Sequence, residues 1–145
     1  AILIDYAHTP DALQRALEAL RPLVSGRLIV VFGAGGDRDR GKRPEMGRVA
    51  AAHADVAVVT TDNPRHEDPA VIAQEIESGM APGSYVRVLD RREAIARAIE
   101  MATADDVVLL AGKGHETYQI WGDERRPFDE RRIVEEILRQ KGELN

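Results

Sequence analysis

Residues Leu28 to Pro44 read "LIVVFGAGGDRDRGKRP", and the abrupt change of composition within them decides the fold class. "LIVVF" is apolar without alternation, as in a strand buried on both faces. Glycines and charges follow at once, and helical spacing then runs from about Pro44 to His53. A strand buried on both faces needs a covering layer on each, and a helix directly after it supplies one.

The same unit recurs in both directions. Upstream, "AILI" reads as a buried strand; after "DYAH", Thr9 suits an N-cap, Pro10 suits the first helical position, and Leu13, Ala16, Leu17 and Leu20 share one face. Downstream, "VAVVT" precedes a helix from about Pro69 to Met80, "YVRVL" a helix from about Arg91 to Met101, and "DVVLLA" closes the series. "GHETYQIWGDERRPFD" departs from the rhythm as an irregular or hairpin passage before a helix from about Glu130 to Lys141. The alternation predicts a three-layer, Rossmann-like α/β domain: a mostly parallel sheet, helices on both faces, and an antiparallel strand or hairpin near the C-terminus.

Composition sets the boundaries of function. The 145 residues fit one domain, large enough to bury about two-thirds of its unfolded surface. The absence of cysteine excludes disulfides, thiolate metal sites and cysteine nucleophiles, and suits a reducing, cytoplasmic setting. A net charge of −5 argues against a broad nucleic-acid footprint. The apolar runs are only strand-length, so a membrane partner is not expected. The chain opens at Ala1 directly on a strand, which reads as a domain cut from a longer, multidomain protein.

Ligands of open parallel sheets gather at the carboxyl ends of the strands. The loops leaving the strands are "DYAHTP", "GAGGDRDRGKRP", "TTDNPRHEDP", "LDRRE" and "AGKGHETYQ", whereas those entering them, "PLVSGR", "HAD", "APGS" and "TADD", are plain. Two of the three lysines, Lys42 and Lys113, and three of the four histidines, His8, His66 and His115, fall in the exit loops.

Neither standard phosphate loop is complete. Gly33 and Gly35 begin a GxGxxG pattern, but Arg38 occupies its third glycine position. Gly36 to Lys42 fits GxxxxGK, but Arg43 replaces the expected Ser or Thr. Exposed backbone N–H groups with Arg38, Lys42 and Arg43 still favour an anion, against a bland reading as a solvated turn. Asp5 and His8 stand just before a helix N-terminus, where Thr9 and Pro10 are explained by capping alone but Asp5 and His8 are not. A metal site from Asp5, His8, His115 and Glu116 is a minor reading, because their spacing is not that of tight ligand sets. In "AGKGHETYQ", Gly112 and Gly114 permit close approach while Lys113, His115 and Glu116 present both charge signs. A ligand meeting Arg38, Arg65, Asn63 and Glu116 needs carboxylate for the guanidinium groups and ammonium for the glutamate, with the amide able to serve either. That describes an amino acid. Pro64 restricts the backbone between Asn63 and Arg65.

Together "DYAHTPDAL", "GAGGDRDRGKRPEMG", "TTDNPR" and "AGKGHETYQ" resemble the C-terminal domain of the Mur ligases, most closely of members that add meso-diaminopimelate, across essentially the whole chain. The resemblance implies an ATP-dependent amide ligase of bacterial cell-wall synthesis. Such enzymes activate the D-glutamate carboxylate of a UDP-linked muramoyl dipeptide as an acyl phosphate, which the amino acid's amine attacks. It further implies that Asp62, Asn63, Pro64 and Arg65 form the meso-diaminopimelate signature, that Arg38, Gly112 and Glu116 are further amino-acid contacts, and that Asp5, His8 and Lys42 face the nucleotide. ATP and Mg2+ would be held mainly by a central domain that this chain lacks, and no residue here stands out as catalytic. The enzyme is expected to act as a cytoplasmic monomer, and the chain alone to be inactive. Lysine-adding and cyanophycin-type ligases, or a binding module without catalysis, are the alternatives.

Overall fold

A computed structural model describes residues 1–142. Five parallel strands, β1 (Ile2–Asp5), β2 (Leu28–Phe32), β3 (Val56–Val59), β4 (Val86–Arg87) and β5 (Val107–Ala111), form one sheet in the order β1-β5-β2-β3-β4. The helices are α1 (Pro10–Leu20), α2 (Lys42–His53), α3 (Pro69–Glu77), α4 (Arg91–Met101) and α5 (Glu130–Gln140). An antiparallel pair, β6 (Tyr118–Trp121) and β7 (Glu124–Pro127), is the expected hairpin.

Alternate side chains of each strand enter different cores. Leu28, Val30, Phe32, Val59 and Leu109 pack with Leu13, Met46 and Ile76 of α1, α2 and α3. Ile29, Val31, Val58, Val108 and Leu110 pack with Ile95, Ile133 and Ile137 of α4 and α5. β2 therefore has no exposed residue, as its unbroken apolar run requires.

Three local expectations are corrected. "AILI" is not a buried strand: β1 is an edge strand, and Leu3, on the face turned away from α4 and α5, stays 39% exposed. The run "YVRVL" forms only a two-residue strand, Val86–Arg87, at the opposite edge, with the Val88 N–H also donating to the Val59 carbonyl at 3.0 Å. α2 begins at Lys42, two residues before the expected Pro44. The first-turn N–H groups of a helix have no internal acceptor, so Pro44 is tolerated in that turn without breaking the helix.

Four helices start at the carboxyl edge of the sheet with side-chain caps: Thr9, Asp68, Asp90 and Asp129 each accept a backbone N–H of the first turn. These caps fix where the exit loops end, and so where the loop side chains stand.

A candidate amino-acid cleft at the carboxyl edge

The exit loops after β1, β2, β3 and β5 enclose a cleft of about 390 Å³. Arg38, Asp62, Asn63, Arg65, Gly112, Glu116, His8 and Lys42 all line it. Pro64 and Asp5 do not. Pro64 is buried in the loop behind the cleft, where its carbonyl accepts the Glu67 N–H at 3.0 Å. Asp5 lies beside a neighbouring hollow with Tyr6, His115 and Glu116, and its Oδ2 accepts the Ala7 N–H at 2.8 Å. Among the described residues no three His, Asp or Glu side chains gather to hold a metal ion, so the reading through Asp5, His8, His115 and Glu116 is set aside.

The loop after β3 is fixed from below. Asp62 and Asn63 are 6% exposed, and the buried Lys113 donates to Asp62 Oδ1 at 3.2 Å and to Asn63 Oδ1 at 2.7 Å. Gln119 of β6 donates to the Asp62 carbonyl, and the Ile120 N–H donates to Asn63 Oδ1 at 3.0 Å. Arg65 takes a left-handed conformation, φ 52°, uncommon for a residue with a side chain. It is held there by both of its backbone groups: its N–H donates to the Ile120 carbonyl at 3.0 Å, and its carbonyl accepts the Gly122 N–H at 2.6 Å. The hairpin thus clamps the residue expected to meet the ligand.

The glycine-rich loop fits against this clamp. Gly36 donates to the Asn63 carbonyl at 2.7 Å, and a Cβ on Gly36 would stand 1.8 Å from the Pro64 carbonyl oxygen. Only glycine allows that approach. The Gly36 carbonyl in turn accepts from Arg65 Nη1 at 2.9 Å. On the other wall Gly112, at φ 116°, places its missing Cβ 2.8 Å from Asp62 Oδ2.

Arg43 lines the cleft, but its Nη donors are already engaged by the protein, contrary to the expectation from the sequence of a cation left for an anion. It is 1% exposed, and its guanidinium donates to both Glu67 carboxylate oxygens, to Glu75 and to the Gly35 carbonyl. Its Nη1 and Nη2 are thereby committed to tying the glycine-rich loop to the loop after β3. The Arg43 guanidinium also holds the Glu67 carboxyl well below its ordinary value, at about 2. Arg40 adds an exposed bond to Glu75.

Arg91 carries no signal of a site role in the sequence beyond opening a helix. It is 1% exposed, pairs with Glu130 at 2.8 Å, and donates to the carbonyls of Thr61 and Ala111 at 3.2 and 2.9 Å. Those carbonyls immediately precede Asp62 and Gly112, so one guanidinium ties together two loops of the cleft. Glu130 Oε1 has no hydrogen-bond partner among the described residues. His66, exposed, bridges Asp37 at 2.7 Å and Asp123 at 2.9 Å, and these carboxylates push its imidazole pKa up.

The cations left facing the cleft are Arg38, Lys42 and Arg65. Arg38 makes one hydrogen bond, to the neighbouring Asp37 carbonyl; Arg65 makes its single side-chain bond to Gly36; the Lys42 ammonium has no partner among the described residues. The opposite charge is supplied by Asp62 and by Glu116, whose Oε1 lies 3.5 Å from Lys113 Nζ. The cleft can therefore hold a group with carboxylate and ammonium on the same carbon.

Residues 1–114 match the family described as "Mur ligase, glutamate ligase domain". The chain belongs to the Mur ligase family. It is 57% identical over 139 residues to the UDP-N-acetylmuramoyl-L-alanyl-D-glutamate–2,6-diaminopimelate ligase of Caldanaerobacter subterraneus subsp. tengcongensis, a match covering 94% of the chain and 29% of that protein. The ligase of the same description from Coxiella burnetii is 57% identical over 130 residues, covering 89% of the chain and 27% of the relative. The chain thus spans under a third of the length of these relatives. A solved structure of a 2,6-diaminopimelate ligase superposes with a TM-score of 0.93 at 45% identity, covering 97% of this Mur ligase domain and 29% of the neighbour. A bifunctional folylpolyglutamate synthase/dihydrofolate synthase from Yersinia pestis, solved with AMPPNP and Mn, superposes at 0.60 with 21% identity over 77% of the chain and 25% of its own, a likeness of fold alone.

Proposed function

We propose that this chain is the amino-acid-binding domain of an ATP-dependent ligase that adds meso-diaminopimelate to UDP-N-acetylmuramoyl-L-alanyl-D-glutamate in peptidoglycan synthesis. The observation that carries the reading is one cleft lined by the cations Arg38 and Arg65, the amide of Asn63 and the carboxylates of Asp62 and Glu116. Diaminopimelate has two amino-acid heads. The cleft binds the non-reacting head: Arg65, with Arg38 beside it, pairs its carboxylate, and Glu116 pairs its ammonium. Pro64 and the left-handed Arg65 backbone keep the loop in one conformation, so little entropy is lost on binding. The other amine is left to attack the acyl phosphate of the D-glutamate carboxylate.

ATP would supply the phosphoryl group for that activation, and Mg2+ would neutralise its phosphates. His8 and Lys42 suit the nucleotide side of the cleft, because both are exposed and Lys42 begins α2, whose N-terminus favours an anion. Asp5 shapes the turn that presents His8. What the chain contributes is orientation: holding an amine in attack geometry is worth about 7–11 kcal/mol of a barrier. By the same argument the chain alone should turn over neither ATP nor the dipeptide.

The test is ligation by the full-length protein given ATP, Mg2+ and the UDP-linked dipeptide, with meso-diaminopimelate or lysine as the amine. The tripeptide nucleotide should form with meso-diaminopimelate and very poorly with lysine. Preference for lysine, or no product with either, overturns the reading.

A further inference from the structure

We propose that Lys113 is a positioning residue: it fixes the Asn63 side chain as a donor to the carboxylate of the non-reacting head, and it sets the charge of the wall that receives the ammonium. The inference rests on the functional reading above and assigns roles within its site.

Lys113 is fully buried, yet its ammonium serves three residues that line the cleft: Asn63 at 2.7 Å, Asp62 at 3.2 Å and Glu116 at 3.5 Å. Asn63 Oδ1 receives the Ile120 N–H at 3.0 Å as well. Two donors converge on this one atom, and neither can accept. An amide nitrogen placed there would face both without a partner, so the orientation of Asn63 follows from the chemistry of its neighbours. The Asn63 NH2 group is left with no acceptor among the described residues, on a residue that lines the cleft. It can only donate. The sequence left this amide able to serve either ligand group; its surroundings assign it to the carboxylate, beside Arg65.

The second role concerns charge. Asp62 Oδ1 is engaged by Lys113, while Oδ2 has no donor among the described residues. Asp62 and Glu116 carry two formal negative charges and Lys113 one positive, so this wall is one negative charge in excess. That matches one ammonium. Without Lys113 the wall would carry two, and the Asn63 amide would lose the cation that holds it.

The experiment uses the full-length protein in two variants, with specificity constants for meso-diaminopimelate and lysine and a separate KM for ATP. Lys113→Met keeps the length of the side chain and removes its charge. It should raise the KM for meso-diaminopimelate about 10- to 100-fold, the size expected for charge-assisted hydrogen bonds, and leave the KM for ATP within about twofold, a split that general misfolding would not produce. Asn63→Asp preserves the oxygen facing Lys113 and Ile120 but turns the cleft-facing NH2 into an acceptor, and it stands as a test even if Lys113→Met fails to fold. Its ratio of meso-diaminopimelate to lysine use should fall by about 100-fold or more, as for loss of one partner of a buried charge pair. An Asn63→Asp variant that keeps the wild-type ratio, or a folded Lys113→Met variant with wild-type KM for meso-diaminopimelate, overturns this proposal alone. A wild type that ligates no amino acid overturns the functional reading and this proposal with it.

Discussion

The floor and the rim of the cleft each contribute three cations, used in opposite ways. On the floor Arg43, Arg91 and Lys113 are at most 1% exposed and are each met by two or more protein acceptors. On the rim Arg38 and Lys42 are exposed and Arg65 is half-buried, with one side-chain hydrogen bond each for the arginines and none for the lysine among the described residues. A buried charge must be paired because desolvation is expensive, so the floor cations hold loops together and have little left for a ligand. The rim cations retain most of their donors for one.

The contrast predicts unequal effects of substitution. The largest belongs to Arg91. Arg91→Ala strands Glu130 inside the protein and takes one donor from each of the Thr61 and Ala111 carbonyls, so it should cost about 3–5 kcal/mol, read by urea unfolding of the chain. Replacing both Arg91 and Glu130 by methionine should cost less than the single change, since no unpaired charge is left. If the double variant is the less stable, the floor is not governed by charge pairing.

A second effect is smaller and depends on pH. Glu67 ionises at about 2 when folded instead of 4.5 because Arg43 and the Asp37 N–H stabilise its carboxylate. A depressed carboxylate contributes stability that is complete above the unfolded value and is lost as pH falls through the folded one. Stability should therefore decline from about pH 4.5 towards pH 2, and Glu67→Gln should flatten that part of the profile. An unchanged slope would remove Glu67 from the account. At the bottom of the scale, Arg38→Ala and Lys42→Ala should alter stability by no more than about 0.5 kcal/mol, as exposed positions do. A loss of the size expected for Arg91 at either position would erase the distinction between floor and rim.

Much of this organisation is visible in the sequence, and the reason is periodicity. "LIVVF" and "VVLLA" are strand-length apolar runs bounded by turn signals, as strands between two layers are, and the contrast between "TTDNPRHEDP" and "TADD" marks which edge carries the chemistry. Strand order is different: nothing in "AILI" reports that it pairs with β5 alone and lies at the edge. The charge roles were the least legible. Arg43 and Lys42 are adjacent in the chain and end in opposite environments, because the α2 turn sends one side chain inward and the other out. A letter R or K states a charge but not its burial. Arg91 follows the same rule: its acceptors are backbone carbonyls 20 and 30 residues away, which have no signature in composition. The plain entry loops hide a comparable feature at the other edge, where Asp106 accepts the N–H groups of Arg27 and Thr103 and its carboxyl is driven far below the usual range.

The central claim is that Arg65, clamped by the hairpin and left with unused donors, anchors the carboxylate that distinguishes meso-diaminopimelate from lysine. Its direct measurement is the ratio of kcat/KM for the two amino acids in the full-length protein, wild type against Arg65→Ala. Losing one partner of a desolvated charge pair is worth about 2–5 kcal/mol, roughly 30-fold to several thousand-fold, and the ratio should collapse by that factor. Arg65→Lys should recover only part of it, since an ammonium cannot form the two-pronged contact. An alanine variant that keeps the wild-type preference contradicts the claim and moves the anchor to Arg38.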